Sequence, residues 1–221
     1  MFIYHYLAGD YSAKLAAMNR KAHWDEVYSN KSPLEVSWYQ KEPALSLQLI
    51  DNTGISTDAA IIDIGGGASI LVDRLYEHGY RHLAVLDISG NALAYAKKRL
   101  ASAADHIEWF ESDITVFQSP HQFDLWHDRA VFHFLTDNND RNCYVNTLQR
   151  TLKPGGHLIM AAFAIGGPTH CSGLEIVQYG ADKLAGELGN SFSLVEQASE
   201  THVTPNNTQQ LFTYFRFIKK S

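Results

Sequence analysis

Short apolar runs alternate with amphipathic stretches along most of the chain, and the alternation predicts strands and helices in turn. Ala60-Ile61-Ile62-Asp63-Ile64 is rich in β-branched residues and reads as a buried strand. After Gly65-Gly66-Gly67 the pattern turns helical, with Leu71 and Leu75 on one face and Gly79 placed to end it. Leu83-Ala84-Val85-Leu86 predicts a second strand that closes on Asp87, and Ser89 is positioned to cap a helix reaching about Leu100. Ile107-Glu108-Trp109-Phe110 predicts a third strand, and Phe123 to Asp128 a fourth. Tyr144, Val145, Leu148 and Leu152 share one face of a helix from about Asn139 to Leu152, which Lys153-Pro154-Gly155-Gly156 should end as a sharp turn. His157 to Phe163 predicts a fifth strand, and Ala181 to Leu188 a short helix stopped by Gly189. Between them, residues 166–180 read as a long loop of the kind that carries substrate contacts. Ser193-Leu194-Val195-Glu196 and Leu211 to Phe217 form the last two strands, and the turn through Pro205-Asn206-Asn207 requires them to pair antiparallel. Upstream, Pro43 opens a helix to about Asp51, with Leu45, Leu49 and Ile50 inward.

This succession places the chain in the α/β class, with helices on both faces of a largely parallel sheet. Its 221 residues, 45% apolar and 19% charged, are enough for one core, so a single domain is expected. The net charge is −6 and no block of Lys and Arg stands out, which argues against nucleic acid and anionic membranes as partners. Cys143 and Cys171 make neither a disulfide framework nor a zinc site, and they suit a reducing, cytoplasmic setting. The eleven histidines lack ligand spacing, so no metal is expected. No apolar run approaches the length of a membrane span. Residues 1–8 are apolar but have no basic leader, and Asp10 and Lys14 soon interrupt them, so a signal peptide is not expected. Residues 1–22 read as an N-terminal extension and 23–221 as the domain, with 23–58 a helical lid rich in aromatics. Monomer and dimer both remain open.

The chemistry starts at the first glycine turn. Strand, glycine turn and helix make the first half of a nucleotide-binding βαβ unit. The dinucleotide fingerprint G-x-G-x-x-G fails here, because the sixth position from Gly65 is Ile70. An acid, Asp63, stands two residues before Gly65, with Gly67 following, and that order resembles the first motif of the class I methyltransferases that use S-adenosylmethionine (SAM). Ser69 replaces the third glycine of that pattern. SAM has no pyrophosphate to be cradled by a helix, but it has an ammonium and a sulfonium that favour a nearby carboxylate. The second strand ends in Asp87, twenty residues after Gly67, where such folds place an acid for ribose hydroxyls. The resemblance implies that Asp63, Gly65 and Gly67 hold SAM, that Asp87 takes both hydroxyls, and that Ile88 packs on the adenine. It also implies that Asp113, followed by Ile114, contacts the adenine amine. The implied fold is Rossmann-like, seven-stranded and mixed, in the order 3-2-1-4-5-7-6 with the seventh strand antiparallel.

For the methyl acceptor, two subfamilies compete. His23-Trp24-Asp25, Glu35-Val36-Ser37-Trp38-Tyr39 and Asp128-Arg129-Ala130-Val131-Phe132 resemble the lysine methyltransferases of elongation factor and citrate synthase. Asp128-Arg129-Ala130 followed by Asp140-Arg141-Asn142-Cys143-Tyr144, with Gly166-Gly167-Pro168, resembles the thiopurine methyltransferases. The nucleic-acid amino-methyltransferases carry [DN]-P-P-[YF] after the fourth strand, and His127-Asp128-Arg129-Ala130 departs from it. The expected reaction is methyl transfer to a small carboxylate or thiol; a protein lysine acceptor and a non-catalytic SAM-binding module are the alternatives. Asp128 lies at the carboxyl end of the fourth strand, where ligands bind in open α/β sheets, and is expected to orient the acceptor or take its proton. His127 and His133 flank it and are the expected partners for proton transfer near neutral pH. Trp38, Tyr39, Arg129 and His202 complete the expected acceptor site. Each has a structural alternative: Asp128 paired with Arg129 or capping a helix, the histidines packed in the core, the aromatics plugging one end of the sheet.

Overall fold

The computed structural model describes residues 20–221; the expected N-terminal extension lies almost wholly outside them. The sheet is built from β1 (Ala60–Ile64), β2 (His82–Asp87), β3 (Ile107–Glu111), β4 (Phe123–Arg129), β5 (Leu152–Phe163), β8 (Phe192–Val203) and β9 (Gln209–Lys219). Its order is β3-β2-β1-β4-β5-β9-β8. β1 to β5 run parallel, and β9 pairs antiparallel with both β5 and β8. This is the order the resemblance implied, with β8 and β9 as sixth and seventh strands. The chain reverses direction across the sheet between β1 and its neighbours β2 and β4. In open α/β sheets the ligand crevice opens at such a point, outside the carboxyl ends of the strands.

Side-chain alternation divides the core between the two faces. Ile62, Ile64 and Trp126 look one way, against α5 (Asn138–Thr151) and α6 (Ala181–Leu188) through Leu148, Leu184 and Leu188. Ile61, Val85 and Leu125 look the other way, against α2 (Ala44–Asp51), α3 (Leu71–Glu77) and α4 (Gly90–Leu100) through Leu49, Leu71 and Leu93. Each fully buried leucine or isoleucine contributes on the order of 1.5–3 kcal/mol. Ser89 caps α4 as expected, accepting from the Ala92 amide. A further helix, α1, covers residues 20–30. No helix among the described residues is long and apolar enough to cross a membrane.

Three local expectations are corrected. Lys153–Gly156 is not a free turn but a bulge inside β5: Leu152 faces Phe123, His157 faces Leu125, and the four residues between them loop out. A side chain at Gly156 would crowd the carbonyls of Lys153 and Asp124 at about 3 Å, so the bulge needs glycine there. The loop over residues 166–180 contains a short hairpin, β6 (His170–Cys171) with β7 (Leu174–Glu175). β8 and β9 reach 12 and 11 residues, well beyond the apolar runs that announced them. β8 is the sheet edge, where one face meets water, so polar residues continue the strand without a hydrophobic signal.

Candidate active site

The glycine turn sets two carboxylates side by side. Gly65 has φ +67°, and its amide donates to the Leu86 carbonyl at 2.6 Å, tying the turn to β2. A Cβ at Gly66 would strike the Asp63 carboxylate, and one at Gly67 would strike that of Asp87. The Gly67 amide instead donates to Asp87 Oδ2 at 3.0 Å, while the Ser89 amide donates to Oδ1 at 2.8 Å. Burial pushes the Asp87 carboxyl up to about 6; those two amides hold it back, and the charges of Asp63 and Asp25 add to the rise.

Asp63 and His127 face each other because β1 and β4 pair in that register. Asp63 Oδ1 lies 2.6 Å from His127 Nδ1, and His127 Nε2 lies 2.9 Å from Ser46 Oγ on α2. With Asp63 ionised, Nδ1 carries the proton and Nε2 accepts from the hydroxyl. Asp63 Oδ2 is buried with no hydrogen-bond partner. It belongs to the wall of a cavity of about 600 Å³ together with Gly65, Gly66, His127, Trp38 and Tyr39.

A larger cavity of about 840 Å³ adjoins it. Asp87, Ile88, Asp113 and Ile114 line it together with the rings of Trp24, Tyr28, Trp38, Phe134, Phe163 and Phe212. Trp24 packs edge-on against Trp38 at 5.7 Å and Phe134 at 5.0 Å between ring centres. α1 closes the top. Arg20 donates to Asp113, Asp140 and Thr115, Lys21 pairs with Asp25 and Glu111, and Asp25 accepts from Ser89 Oγ. The Asp113 carboxylate, implied to meet an adenine amine, is thus shared between Arg20 and Thr115.

The expected acid–base residues are elsewhere occupied. Asp128 is fully buried and stands outside both cavity walls. It accepts from the amides of Val131 and Phe132 and from the Tyr144 hydroxyl at 2.5 Å. It therefore caps the turn that leaves β4, where Ala130 sits at φ +70°, and the expectation that it orients an acceptor is corrected to its structural alternative. Burial pushes its carboxyl up to about 6. His133 is also fully buried, packed on Phe134 and Phe163 with neither ring nitrogen partnered. Burial, helped by the Arg129 charge, pulls its pKa down to about 3, so it stays neutral and outside the cavity walls. His127 does reach a cavity, but both its nitrogens serve the Asp63–Ser46 chain. His202 lies under residues 33–39, with Nε2 2.7 Å from the Ser37 carbonyl; it pins that segment rather than facing either cavity.

Arg129, Trp38 and Tyr39 do line the cavities. Tyr28 belongs to the expected aromatic lid and Cys171 to the loop expected to carry substrate contacts; sequence reasoning missed Phe134, Phe163 and Phe212 as lining residues. Trp24 and Tyr28 stand one helical turn apart, a spacing that puts them on one face and that was readable; Phe134 comes from the 3-10 turn after β4, Phe163 and Phe212 from β5 and β9, and Cys171 from the β6–β7 hairpin. Among the described residues no group of three or more His, Cys, Asp or Glu gathers to hold a metal.

Residues 61–156 match the family described as the methyltransferase domain. Nodulation protein S of Rhizobium tropici is 33% identical over 104 residues, which is 47% of this chain and 43% of that protein. The chain therefore spans less than half the length of that relative. EEF1A lysine methyltransferase 2 of Homo sapiens is 23% identical over 200 residues, 82% of this chain and 78% of that protein. The solved structure of the N-methyltransferase NodS from Bradyrhizobium japonicum WM9 with S-adenosyl-L-homocysteine (SAH) is similar with a TM-score of 0.62 and 22% identity, covering 82% of this chain and 90% of that one. At that identity the likeness is one of fold.

Proposed function

We propose that this chain is a class I SAM-dependent methyltransferase, a reading that its sheet order and the methyltransferase-domain match over residues 61–156 support, and that it passes a methyl group from SAM to a small molecule held in the aromatic cavity. The observation that carries the reading is a shared wall: one cavity is lined both by Asp87 and Ile88 and by six aromatic rings, two of them from α1. The residues present fit SAM. A buried Asp63 oxygen without a partner suits an ammonium, and Asp87, an acceptor at the end of β2, suits ribose hydroxyls. The bound sulfonium supplies an electrophilic methyl group.

The chain's own part is positioning. Asp63, oriented by His127, fixes the amino-acid end; the aromatic walls exclude water and aim the acceptor in line with the methyl. The acceptor's lone pair forms the new bond to carbon, and the carbon–sulfur pair stays on sulfur as SAH forms. Tyr28 and Cys171 on the acceptor side are pushed up by burial, the thiol to about 11, so both remain protonated. An acceptor must then arrive with its lone pair free, as a neutral amine, a carboxylate or a thiolate, and an amine gives its surplus proton to water after transfer.

One observation favours a second reading, a protein lysine acceptor: the similarity to EEF1A lysine methyltransferase 2 extends over 82% of this chain. Incubation with radiolabelled SAM and a size-fractionated cell extract separates the two, with Asp63→Ala as the blank. Label confined to the small-molecule fraction and absent with the variant is the expected result; label in a protein band would make the acceptor a protein instead, and recovery of that label as methyl-lysine would establish the lysine reading.

A further inference from the structure

Arg129 ends β4 at the wall shared by both cavities. Its side chain is only 10% exposed. Nε donates to the Tyr214 hydroxyl at 2.8 Å, Nη1 donates to the Trp38 carbonyl at 3.0 Å, and the Phe212 ring stacks 4.5 Å from the guanidinium carbon. Nη2 is buried and has no hydrogen-bond partner. The Glu200 carboxylate lies 3.5 Å away, beyond a good hydrogen bond, and its oxygens already accept from Gln40 at 2.9 Å and Tyr214 at 3.0 Å.

A guanidinium cannot give up its proton, so a dry, unfilled N–H on it is costly unless something arrives to accept from it. Arg129 lines both cavities, and with Nε and Nη1 anchored its guanidinium is held in place while Nη2 keeps its hydrogen-bonding capacity unfilled. A carboxylate is the planar acceptor that such a fork fits, and desolvation by Phe212 strengthens the pair. Glu200 nearby limits the total negative charge the place tolerates, which favours a monoanion over a polyanion. We infer that Arg129 is the receptor for a monocarboxylate of a molecule held in these cavities, an inference that rests on the methyltransferase reading. The smaller cavity would present it with the α-carboxylate of the cofactor. The larger, walled by Trp38 and Phe212, would present the acid group of an aryl or similarly flat acceptor, which is then held by its carboxylate while another atom is methylated.

Two titrations on the full chain test this and tell the sources apart. In the first, SAH and its analogue lacking the α-carboxylate are titrated into wild type and Arg129→Met by calorimetry. In the second, phenylacetate and its neutral counterpart phenylacetamide are titrated into SAH-saturated protein, read by tryptophan fluorescence. If the acceptor supplies the acid, phenylacetate binds wild type at least tenfold better than Arg129→Met, phenylacetamide is indifferent to the variant, and SAH affinity is unchanged. If the cofactor supplies it, removing the α-carboxylate weakens binding tenfold or more in wild type and has no effect in Arg129→Met. Glu200→Gln keeps Arg129 in place and is expected to tighten the responsible carboxylate about threefold, which keeps the test decisive should the methionine variant not fold. Carboxylate preferences that ignore both variants, in a protein that binds SAH, would overturn this inference alone. Wild type that fails to bind SAH would overturn the methyltransferase reading with it.

Discussion

The two sides of the cavity are built differently. The side proposed for the cofactor comes from consecutive strand ends and short turns: Asp63 and the glycines at the end of β1, Asp87 and Ser89 at the end of β2, Asp113 after β3. Its polar atoms are backbone amides and carboxylates at fixed offsets from those strands. The acceptor side is assembled from α1, the turn around Trp38, Arg129 after β4, Phe134, Phe163 at the end of β5, the β6–β7 hairpin and Phe212 on β9. The first side is one local design with little room to vary, because a Cβ at Gly66 or Gly67 would strike its own carboxylates. The second can change residue by residue, since each ring is held by a different element. On the proposed reading, a fixed geometry for the cofactor and a replaceable wall for the acceptor follow from that division.

If it holds, damage to the two sides separates binding from turnover. The largest effect is expected from Asp63→Ala, which removes a charge-assisted partner worth roughly 2–3 kcal/mol and weakens SAH on the order of a hundredfold in calorimetry. Trp38→Ala, by contrast, is expected to change SAH affinity less than threefold while lowering kcat/KM for the acceptor at least tenfold. Equal losses of SAH binding in both variants would erase the distinction.

Asp128→Asn tests a third class, a buried residue that serves the fold. It keeps one acceptor oxygen but sets a donor NH2 against the Phe132 amide and the Tyr144 hydroxyl, at a cost of about 1–3 kcal/mol of stability in denaturant unfolding. The surviving folded protein should keep its kcat. A kcat that fell a hundredfold at unchanged stability would return Asp128 to the chemistry.

The acidity of Asp87 gives a pH test of the cofactor side. Its folded carboxyl sits near 6, above the ordinary 3.8, so it gains a proton as pH falls through 6. Ribose hydroxyls need the ionised form as acceptor, so SAH affinity should fall about tenfold from pH 7 to pH 5. For the unliganded fold the sign is opposite: the folded state binds the proton more readily than the unfolded chain, so this group adds stability as pH drops from 7 toward 3.8. Asp87→Asn should flatten the binding profile, at a lower affinity throughout. Asp63 and Asp25 face the same carboxylate, so their alanine variants should move the midpoint downward rather than abolish it.

The smallest effect belongs to the ion pairs of α1. Lys21 is 44% exposed and Glu111 is 51% exposed, so Lys21→Ala should change stability by no more than about 0.5 kcal/mol, and less in high salt. A larger loss, or a salt-dependent change in SAH release, would mark α1 as a cover that moves.

What could be read in the sequence follows the same division. The glycine spacing, Asp63, Asp87 and the strand order were legible because each depends on neighbours in the chain or on one turn. Asp128 was not, because an acid at a strand end looks the same whether it faces the crevice or turns back to cap the following amides. The Asp63–His127–Ser46 chain was hidden for another reason: it depends on the register between β1 and β4 and on where α2 docks, neither of which has a local signature. Phe212 and Cys171 enter the wall through β9 and the β6–β7 hairpin, and the latter did not register as structure at all.

On the proposed reading, two adjoining cavities that share Gly65, Trp38 and Arg129 seat the cofactor between Asp63 and Asp87 and the acceptor among the aromatic rings. A crystal structure with SAH bound tests it most directly. The account predicts the ammonium about 3 Å from the free Asp63 oxygen, ribose hydroxyls on Asp87, and the sulfur facing the space between Trp38, Phe134 and Phe163. SAH lying with its sulfur turned away from those rings, or filling the aromatic end itself, would contradict it.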